Sequence, residues 1–488
     1  MNTSESSDAP ASLDSLDSKA GTSTNEARRA MVAAFDAAVA HQRAGRLPEA
    51  IASYQQVLLR APGHASAWIN MGVALRVNGQ IEAGVASLFR GVALKPDDAG
   101  ACSNLGNALR AAGRLEEAID HHQKAVGLAP DDGSFRYNLA LALRDSGDLD
   151  AAMAGFKDAE SRGYEKPELH WDRALTRLLD GDLRRGMADY EWRWKIPDAR
   201  PRGLTQPVWR GESMESGALY VYAEQGFGDA IQFFRYLPLL KSKVARVIFE
   251  CQAPLARLFQ NSAIARDVEI IPREDNSDAE ILIPTFDAQI ALLSVPHVLG
   301  VSETTVPGAM PYLSAPPGSH SVIAPKGNLK VGLTWAGKPT HRNDRNRSTP
   351  LKTFMPLIDL PDVTFYSLQL GPPADEIAQI GASVLVHDLR GYLQDFSDTA
   401  AVLSELDLVI CVDTSLAHLA GALARPVWTL LPYTPDWRWR LNRTDTPWYP
   451  SMRLFRPDAP QNWTGLITEV KDALIEFKAT FDAAAKGD

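Results

Sequence analysis

Cysteine is scarce in this sequence. Cys102, Cys251 and Cys411 stand far apart among 488 residues, which excludes a disulfide-dense miniprotein, CxxC pairs and closed zinc sites, and suits a reducing compartment, the cytoplasm. Long apolar runs are missing as well. No stretch approaches the ~18 residues of a membrane-spanning helix. The first residues, with Asp8, Asp14 and Asp17 among serines and alanines, lack the basic and apolar segments of a secretory signal. Positive charge is in deficit: acidic residues outnumber basic ones by 60 to 50, so the chain as a whole has no attraction for nucleic acid or anionic membranes. What remains, 45% hydrophobic and 23% charged, is ordinary globular composition. At ~100–200 residues per domain the length allows two to four domains.

Residues 1–27 are rich in Ser, Asp, Thr and Ala with almost no large apolar side chains, and read as a disordered tail. Beyond them glycines fall at 45, 79, 113, 147 and 181, each step 34 residues. Prolines at 62, 96 and 130 keep the step, as do Ala50, Gly84, Ala118, Ala152 and Gly186. The glycine lets the chain turn between two helices, the small residue lets them approach, and the proline ends the second helix. Between these markers the apolar spacing is helical, as in Trp68, Met71, Gly72 and Leu75. On these markers the segment 28–200 resembles the tetratricopeptide repeat family, with five units forming an α-solenoid. The first and fifth units depart most from the pattern, and Tyr164 replaces the expected proline in the fourth.

From about residue 217 short β-rich runs alternate with helical segments. LYVYAE (219–224), VIFEC (247–251), VEII (268–271) and ILIP (281–284) form one set. KVGLTW (330–335), VTFYSLQ (363–369), VLVHD (384–388), LDLVICVD (406–413) and VWTLLP (427–432) form another, beyond the stretch around Pro316, Pro317 and Gly318. Alternation of this kind predicts parallel sheets, and two sets predict two doubly wound α/β lobes, 201–320 and 321–488, the second closing with a C-terminal helix. Ligands in such lobes bind where the strand C-termini end.

Three loops at such ends carry candidate chemistry. The first strand runs into Gly226-Phe227-Gly228-Asp229. Asp229 reads either as a helix N-cap or as a general base facing the cleft. The second set opens with a loop holding Lys338, Arg342, Arg345 and Arg347 around His341, a concentration of cations that suits an anion. The run LDLVICVD ends at Asp413, where Thr414 and Ser415 can cap a helix whose amides suit a phosphate. His418 shares that helix face with Thr414, and spacing leaves open whether it packs or binds.

Taken in order, Gly-Phe-Gly-Asp229, the Lys338 loop and Asp413-Thr414-Ser-Leu-Ala-His418 resemble the lipopolysaccharide heptosyltransferases, glycosyltransferase family 9, of GT-B fold, over residues ~217–465. That resemblance implies that Asp229 deprotonates an acceptor hydroxyl and that Lys338, with the Thr334 to Gly337 backbone, holds a diphosphate. It also implies that Asp413, Thr414 and His418 line a nucleotide-sugar pocket, with Gly337, Arg347, Gln369 and Ser415 completing the donor-binding set. Ser415 stands where the family usually has glycine. Inversion at the anomeric carbon follows from the resemblance alone. The layout, repeats followed by a GT-B enzyme, is also similar to the O-linked N-acetylglucosamine transferases, and bacterial fusions of this kind include enzymes that glycosylate flagellin.

No cofactor beyond the nucleotide-sugar substrate is expected. Nor is a metal, since Asp148-Leu149-Asp150 falls inside a repeat and no carboxylate pair marks a sheet edge. The segment 435–456 interleaves Trp437, Trp439, Trp448 and Tyr449 with five arginines; such a mixture stacks on nucleobases or sugars, or packs against the lobes. In the repeats, position six reads Asp36, Asn70, Asn104, Asn138 and Asp172, and position twelve reads Arg76, Arg110 and Arg144. On a helical wheel Asn70 lies opposite the Trp68, Met71 and Leu75 stripe, which predicts a groove-facing row able to grip a peptide backbone, or alternatively amides bonding adjacent repeats. The reading is a cytoplasmic, metal-independent glycosyltransferase acting on Ser or Thr of a protein held by its repeats. A lipopolysaccharide-core enzyme and a non-catalytic scaffold are the alternatives.

Overall fold

The computed structural model describes residues 22–197, 199–273, 284–317, 322–323, 328–341 and 343–487. Most of the expected tail, Gly318, Arg342 and nearly all of the ILIP strand lie outside the described residues. The chain divides into two compact units: residues through Thr176 with Trp192–Arg200, and Arg177–Glu191 with Pro201 onward.

Ten helices follow the 34-residue step: α1 (Thr22–Arg43), α2 (Leu47–Arg60), α3 (Ala65–Val77), α4 (Ile81–Leu94), α5 (Ala99–Ala111), α6 (Leu115–Leu128), α7 (Gly133–Ser146), α8 (Leu149–Ser161), α9 (Pro167–Asp180) and α10 (Leu183–Tyr190). Helix α1 already covers residues 22–27, which composition assigns to the tail. Each marker does local work. All five spacer glycines have positive φ, from +71° at Gly45 to +106° at Gly181, a region that costs a side chain strain. A Cβ on Gly84 would lie 2.9 Å from the Gly72 carbonyl oxygen, so the two glycines set how closely α3 and α4 pack. The residues before the prolines, Ala61, Lys95 and Ala129, are pulled to φ near −135°, because a following proline disfavours helical backbone. The fourth unit ends without that proline. There Gly163 turns at φ +80° and Tyr164 is buried, stacked on Tyr137 at 4.8 Å.

The second unit contains two parallel sheets. The first comprises β1 (Met214–Tyr222), β2 (Val244–Gln252), β3 (Val268–Arg273) and β4 (Ala288–Ala291). Its order is β3-β2-β1-β4. Helices α11 (Phe227–Phe233) and α12 (Ala253–Gln260) follow β1 and β2. The other sheet orders its strands β10-β9-β8-β5-β6-β7: β5 (Leu329–Thr334), β6 (Val363–Ser367), β7 (Val386–Asp388), β8 (Leu408–Val412), β9 (Val427–Leu430) and β10 (Met452–Phe455). With these strands come α13 (Leu351–Ile358), α14 (Phe396–Glu405), α15 (Ser415–Ala422) and α16 (Trp463–Gly487). Every residue of β8 is buried, as a central strand covered on both faces must be. One face packs Leu333, Phe365 and Leu408 against α13 and the Leu466, Val470 and Leu474 side of α16. Two strands escaped the sequence reading. β4 is only four residues long, and in β10 the exposed Arg453 interrupts buried Met452, Leu454 and Phe455.

Candidate functional site

Strand order fixes where a site can form. In the six-stranded sheet β5-β6-β7 run to one side and β8-β9-β10 to the other, so connections diverge between β5 and β8 and a crevice opens beyond their C-termini. Thr334–Lys338 leaves β5 at that point, and Asp413–Ser415 leaves β8. In the four-stranded sheet the reversal lies between β1 and β4, where the chain enters Gly226–Asp229. Helix α11 packs on α15 and Arg347 of the cationic loop bonds the Asp413 carbonyl, so the three motif loops do converge. Gly228 makes this possible, since a Cβ there would lie 2.7 Å from His418 Cδ2.

Asp229 sits in the first turn of α11. Its Oδ2 accepts the Gly226 N–H at 2.9 Å, so Asp229 is not the N-cap expected on spacing alone: Gly226 holds that position, and Asp229 caps it from the third helical residue. Its Oδ1 accepts from Arg438 Nη2, an ion pair in which Asp229 remains 20% exposed. The His341 imidazole, pushed down by burial and by Arg347, lies within electrostatic reach of Asp436 and Asp229.

The cationic loop divides its labour. Lys338 and Arg345 are exposed, and no residue among those described pairs with the Lys338 ammonium. Arg347 turns inward, donating from Nη1 to the Asp413 carbonyl at 3.1 Å and lying 3.5 Å from Asp344. Gly337 is a close-approach position, where a Cβ would meet Arg347 Nη2 at 2.6 Å. The expected backbone cradle needs correcting. Trp335 and Ala336 N–H both donate to Gln369 Oε1, at 3.1 and 3.0 Å, and Gly337 N–H donates to Ser348 Oγ at 2.9 Å. Those amides already have partners. Gln369, buried and also donating to the Ala336 and Leu370 carbonyls, shapes the loop from beneath rather than offering its amide to a donor.

Asp413 is placed at the β8 tip, where burial and then the Asp436 charge push its carboxyl up to about 6 against Trp439, Arg347 and Arg438. Thr414 is the N-cap of α15, but its side chain makes no capping bond. Thr414 Oγ1, Thr334 Oγ1 and Trp335 Nε1 are all buried without a hydrogen-bond partner, and all three flank the β5/β8 reversal. Ser415 is half-buried, with its Cα 3.5 Å from the position a Gly228 Cβ would take. His418 is spent on packing. Its Nδ1 is 3.0 Å from the Tyr449 hydroxyl, its ring stacks on Trp439 at 5.1 Å, and burial with the nearby Arg438 and Arg235 charges holds it well below the usual histidine range.

The 435–456 aromatics are interior: Trp437, Trp439, Trp448 and Tyr449 are buried, the packing alternative. Sequence reasoning missed what their arginine does. Arg438 donates from Nε to Gln232 Oε1 at 2.6 Å and from Nη1 to Asp436 Oδ1 at 2.9 Å, besides its pair with Asp229. Burial works to lower its pKa, yet Asp436 and Asp229 outweigh it and raise it. A second buried guanidinium, Arg235, pairs with no carboxylate among the described residues. It donates to the Gln232 and Trp448 carbonyls and to Tyr312 Oη, and lies over the Tyr312 and Tyr449 rings. Glu250 was overlooked inside VIFEC; it is fully buried, accepting from Tyr220 Oη at 2.6 Å and paired with Arg202 and Arg273. The signal was there, because a carboxylate in an apolar strand must find a partner.

The rows in the repeats also differ from expectation. Asn70 and Asn138 are only 3% exposed. Asn138 Nδ2 donates to Ser103 Oγ of the preceding unit at 3.0 Å, and the Asn70 carboxamide lies beside Tyr54 of its own predecessor, whose hydroxyl donates to Gln42 at 2.7 Å. Arg144 pairs with Asp172 of the next unit at 2.7 Å, and Arg110 lies 3.7 Å from Asp145. These side chains tie repeat to repeat, which is why they recur every 34 residues. Asn104 and Arg76 are half-buried.

Two doubly wound lobes with loops converging at their strand reversals define a GT-B-type α/β architecture, which follows a helical repeat solenoid in the sequence. Residues 382–462 match the glycosyltransferase family 9 (heptosyltransferase) model, and residues 35–101 and 99–132 match tetratricopeptide repeat models. The chain therefore joins a tetratricopeptide repeat array to a glycosyltransferase family 9 domain. It is similar to Protein FlbA of Caulobacter vibrioides, with 26% identity over 315 residues, 59% of this chain and 50% of the relative. The chain thus spans about half the length of the curated relative it matches. Among solved structures, TTC0263, a thermophilic TPR protein of Thermus thermophilus, shows 20% identity over 34% of this chain and 91% of its own, with TM-score 0.31. MamA 41-end from Desulfovibrio magneticus RS-1 shows 18% over 33% and 91%, with TM-score 0.31. Among the described residues, no helix is long and apolar enough to cross a membrane.

Proposed function

We propose that this protein is an inverting glycosyltransferase, working in the cytoplasm without metal or cofactor, that moves a sugar from a nucleotide-sugar to a Ser or Thr hydroxyl of a protein held by its repeats. The observation that carries this reading is the convergence at the β5/β8 reversal: unpartnered hydroxyls of Thr334 and Thr414, an α15 N-terminus without a side-chain cap, and the Asp229 carboxylate on the helix packed against it. The α15 amides and Lys338 supply positive potential for a diphosphate leaving group. Asp229 accepts the proton of the attacking hydroxyl, a single displacement that inverts the anomeric carbon. Arg347 and Gln369 act one step back, by holding the loops that frame the donor.

The test is intact-mass analysis of proteins from cells with and without this chain, with flagellin as the first acceptor to assay. A discrete sugar mass on one protein, lost with the chain, is expected. A sugar missing from the lipopolysaccharide core instead would replace the protein acceptor with a glycan. No change in either, with no donor turnover by purified protein, would leave a repeat scaffold.

A further inference from the structure

We propose that Arg438 is a positioning residue for Asp229, a guanidinium from the segment after β9 that fixes the carboxylate on α11. This rests on reading Asp229 as the proton acceptor. Capping alone does not account for the arrangement, because the cap uses only Oδ2, on the Gly226 N–H at 2.9 Å. Oδ1 is held separately by Arg438 Nη2. The guanidinium itself cannot turn. Nη1 is on Asp436 at 2.9 Å, Nε is on Gln232 at 2.6 Å, its plane lies over Trp437 at 4.3 Å, and its main-chain oxygen accepts Trp448 Nε1–H at 2.8 Å. A planar fork pinned on two edges and one face transmits that rigidity to whatever its remaining edge touches.

The charge balance leaves Asp229 serviceable. One guanidinium serves two carboxylates, so the trio keeps a net negative charge and Asp229 is not fully neutralised. Each of its oxygens accepts one hydrogen bond here and has a second lone pair for an acceptor hydroxyl. Arg438 thus orients the carboxylate without consuming it.

The test uses the full chain as wild type, Arg438→Ala and Arg438→Lys. Two readouts are taken: amide hydrogen exchange of the Gly226–Asp229 peptide by mass spectrometry, and nucleotide release from uridine, guanosine, adenosine and cytidine diphosphate- or monophosphate-linked sugars. In Arg438→Ala, exchange at Gly226 should rise by about 10-fold or more, since a loosened Asp229 no longer holds that amide. Turnover should fall by roughly 10- to 100-fold with donor KM changed by less than about 3-fold, the pattern of a displaced catalytic group. Arg438→Lys should fall between, and added guanidinium should restore part of the Arg438→Ala rate. Unchanged Gly226 exchange, wild-type turnover, or a loss carried wholly by KM and untouched by guanidinium would each overturn the proposal. Should Arg438→Ala fail to fold, Arg438→Lys decides on the same readings. If the wild type turns over no donor, the transferase reading falls, while Gly226 exchange still decides whether Arg438 positions Asp229.

Discussion

Gly228 and His418 meet with no room for a side chain between them: a Cβ on the glycine would lie 2.7 Å from His418 Cδ2. The imidazole cannot retreat, because Tyr449 holds Nδ1 and Trp439 stacks on the ring. Gly228→Ala should therefore push α11 away from α15 and cost about 1–3 kcal/mol, as overpacking does. A thermal melt checks it; an unchanged melting temperature would mean that the contact yields freely.

Asp229 caps α11 and also stands at the convergence of the loops, and the two roles separate by measurement. Asp229→Asn keeps the side-chain shape and an oxygen for Gly226, so the fold should survive. Turnover should drop by ~10²-fold or more if the carboxylate accepts the proton, with donor affinity by calorimetry nearly unchanged. Equal turnover in variant and wild type would leave Asp229 a cap.

Lys338 and Gln369 should fail in different ways. Lys338→Ala removes an exposed cation and should weaken nucleotide diphosphate binding by ~10- to 100-fold, from ~1.5–3 kcal/mol for a charge-assisted bond, leaving the melt unmoved. Gln369→Ala strips the partner from the buried Trp335 and Ala336 amides and should cost roughly 1–3 kcal/mol of stability for each group left unpaired. If Gln369→Ala melts as wild type does while losing affinity, the glutamine contacts the donor itself.

What was legible in the sequence follows from what is local. The 34-residue step announces its own geometry, because each glycine, small residue and proline acts on its own hairpin. The strands of both sheets read as β-rich runs, except β4, too short to show a pattern, and β10, broken by Arg453. The three motif loops were visible because a strand tip followed by Gly, Asp or Thr is a local signal. Their partners were not. Arg438 reaches Asp229 across 209 positions, and nothing in Trp437-Arg438-Trp439 names that carboxylate. The asparagine row shows the converse error: periodicity was plain, but a wheel drawn on one hairpin cannot show the neighbouring repeat that buries Asn70 and Asn138.

Asp413 should give the protein a pH signature. Its carboxyl is pushed up to about 6 by burial and by Asp436, against ~3.9 in an unfolded chain. Between those values the folded state holds a proton that the unfolded state has released. Stability therefore declines as pH rises from ~4 through ~6, and the deficit persists above. That difference corresponds to nearly 3 kcal/mol, and partial exposure of the residue reduces this to about 1–2 kcal/mol. Denaturant melts at several pH values should show this decline in wild type and not in Asp413→Asn. Parallel curves would mean that the carboxyl is solvated in the fold.

Asn70 and Asn138 should behave as ties between repeats. Asn138→Ala leaves Ser103 Oγ without its donor inside a buried seam, and Asn70→Ala removes the carboxamide beside Tyr54. Each loss should cost roughly 1–3 kcal/mol. The sites are two repeats apart with no partner in common, so the double variant should approach the sum. Asn104 differs: it is half-buried and makes no side-chain hydrogen bond among the described residues. Asn104→Ala should change stability by less than about 0.5 kcal/mol. If the repeats grip a peptide backbone at position six, Asn104→Ala should weaken capture of the acceptor by ~2- to 10-fold, the worth of one net hydrogen bond. A double variant that melts with the wild type but loses acceptor would return the whole row to the peptide; one that melts early, beside an Asn104→Ala protein of full stability, fixes the division of labour.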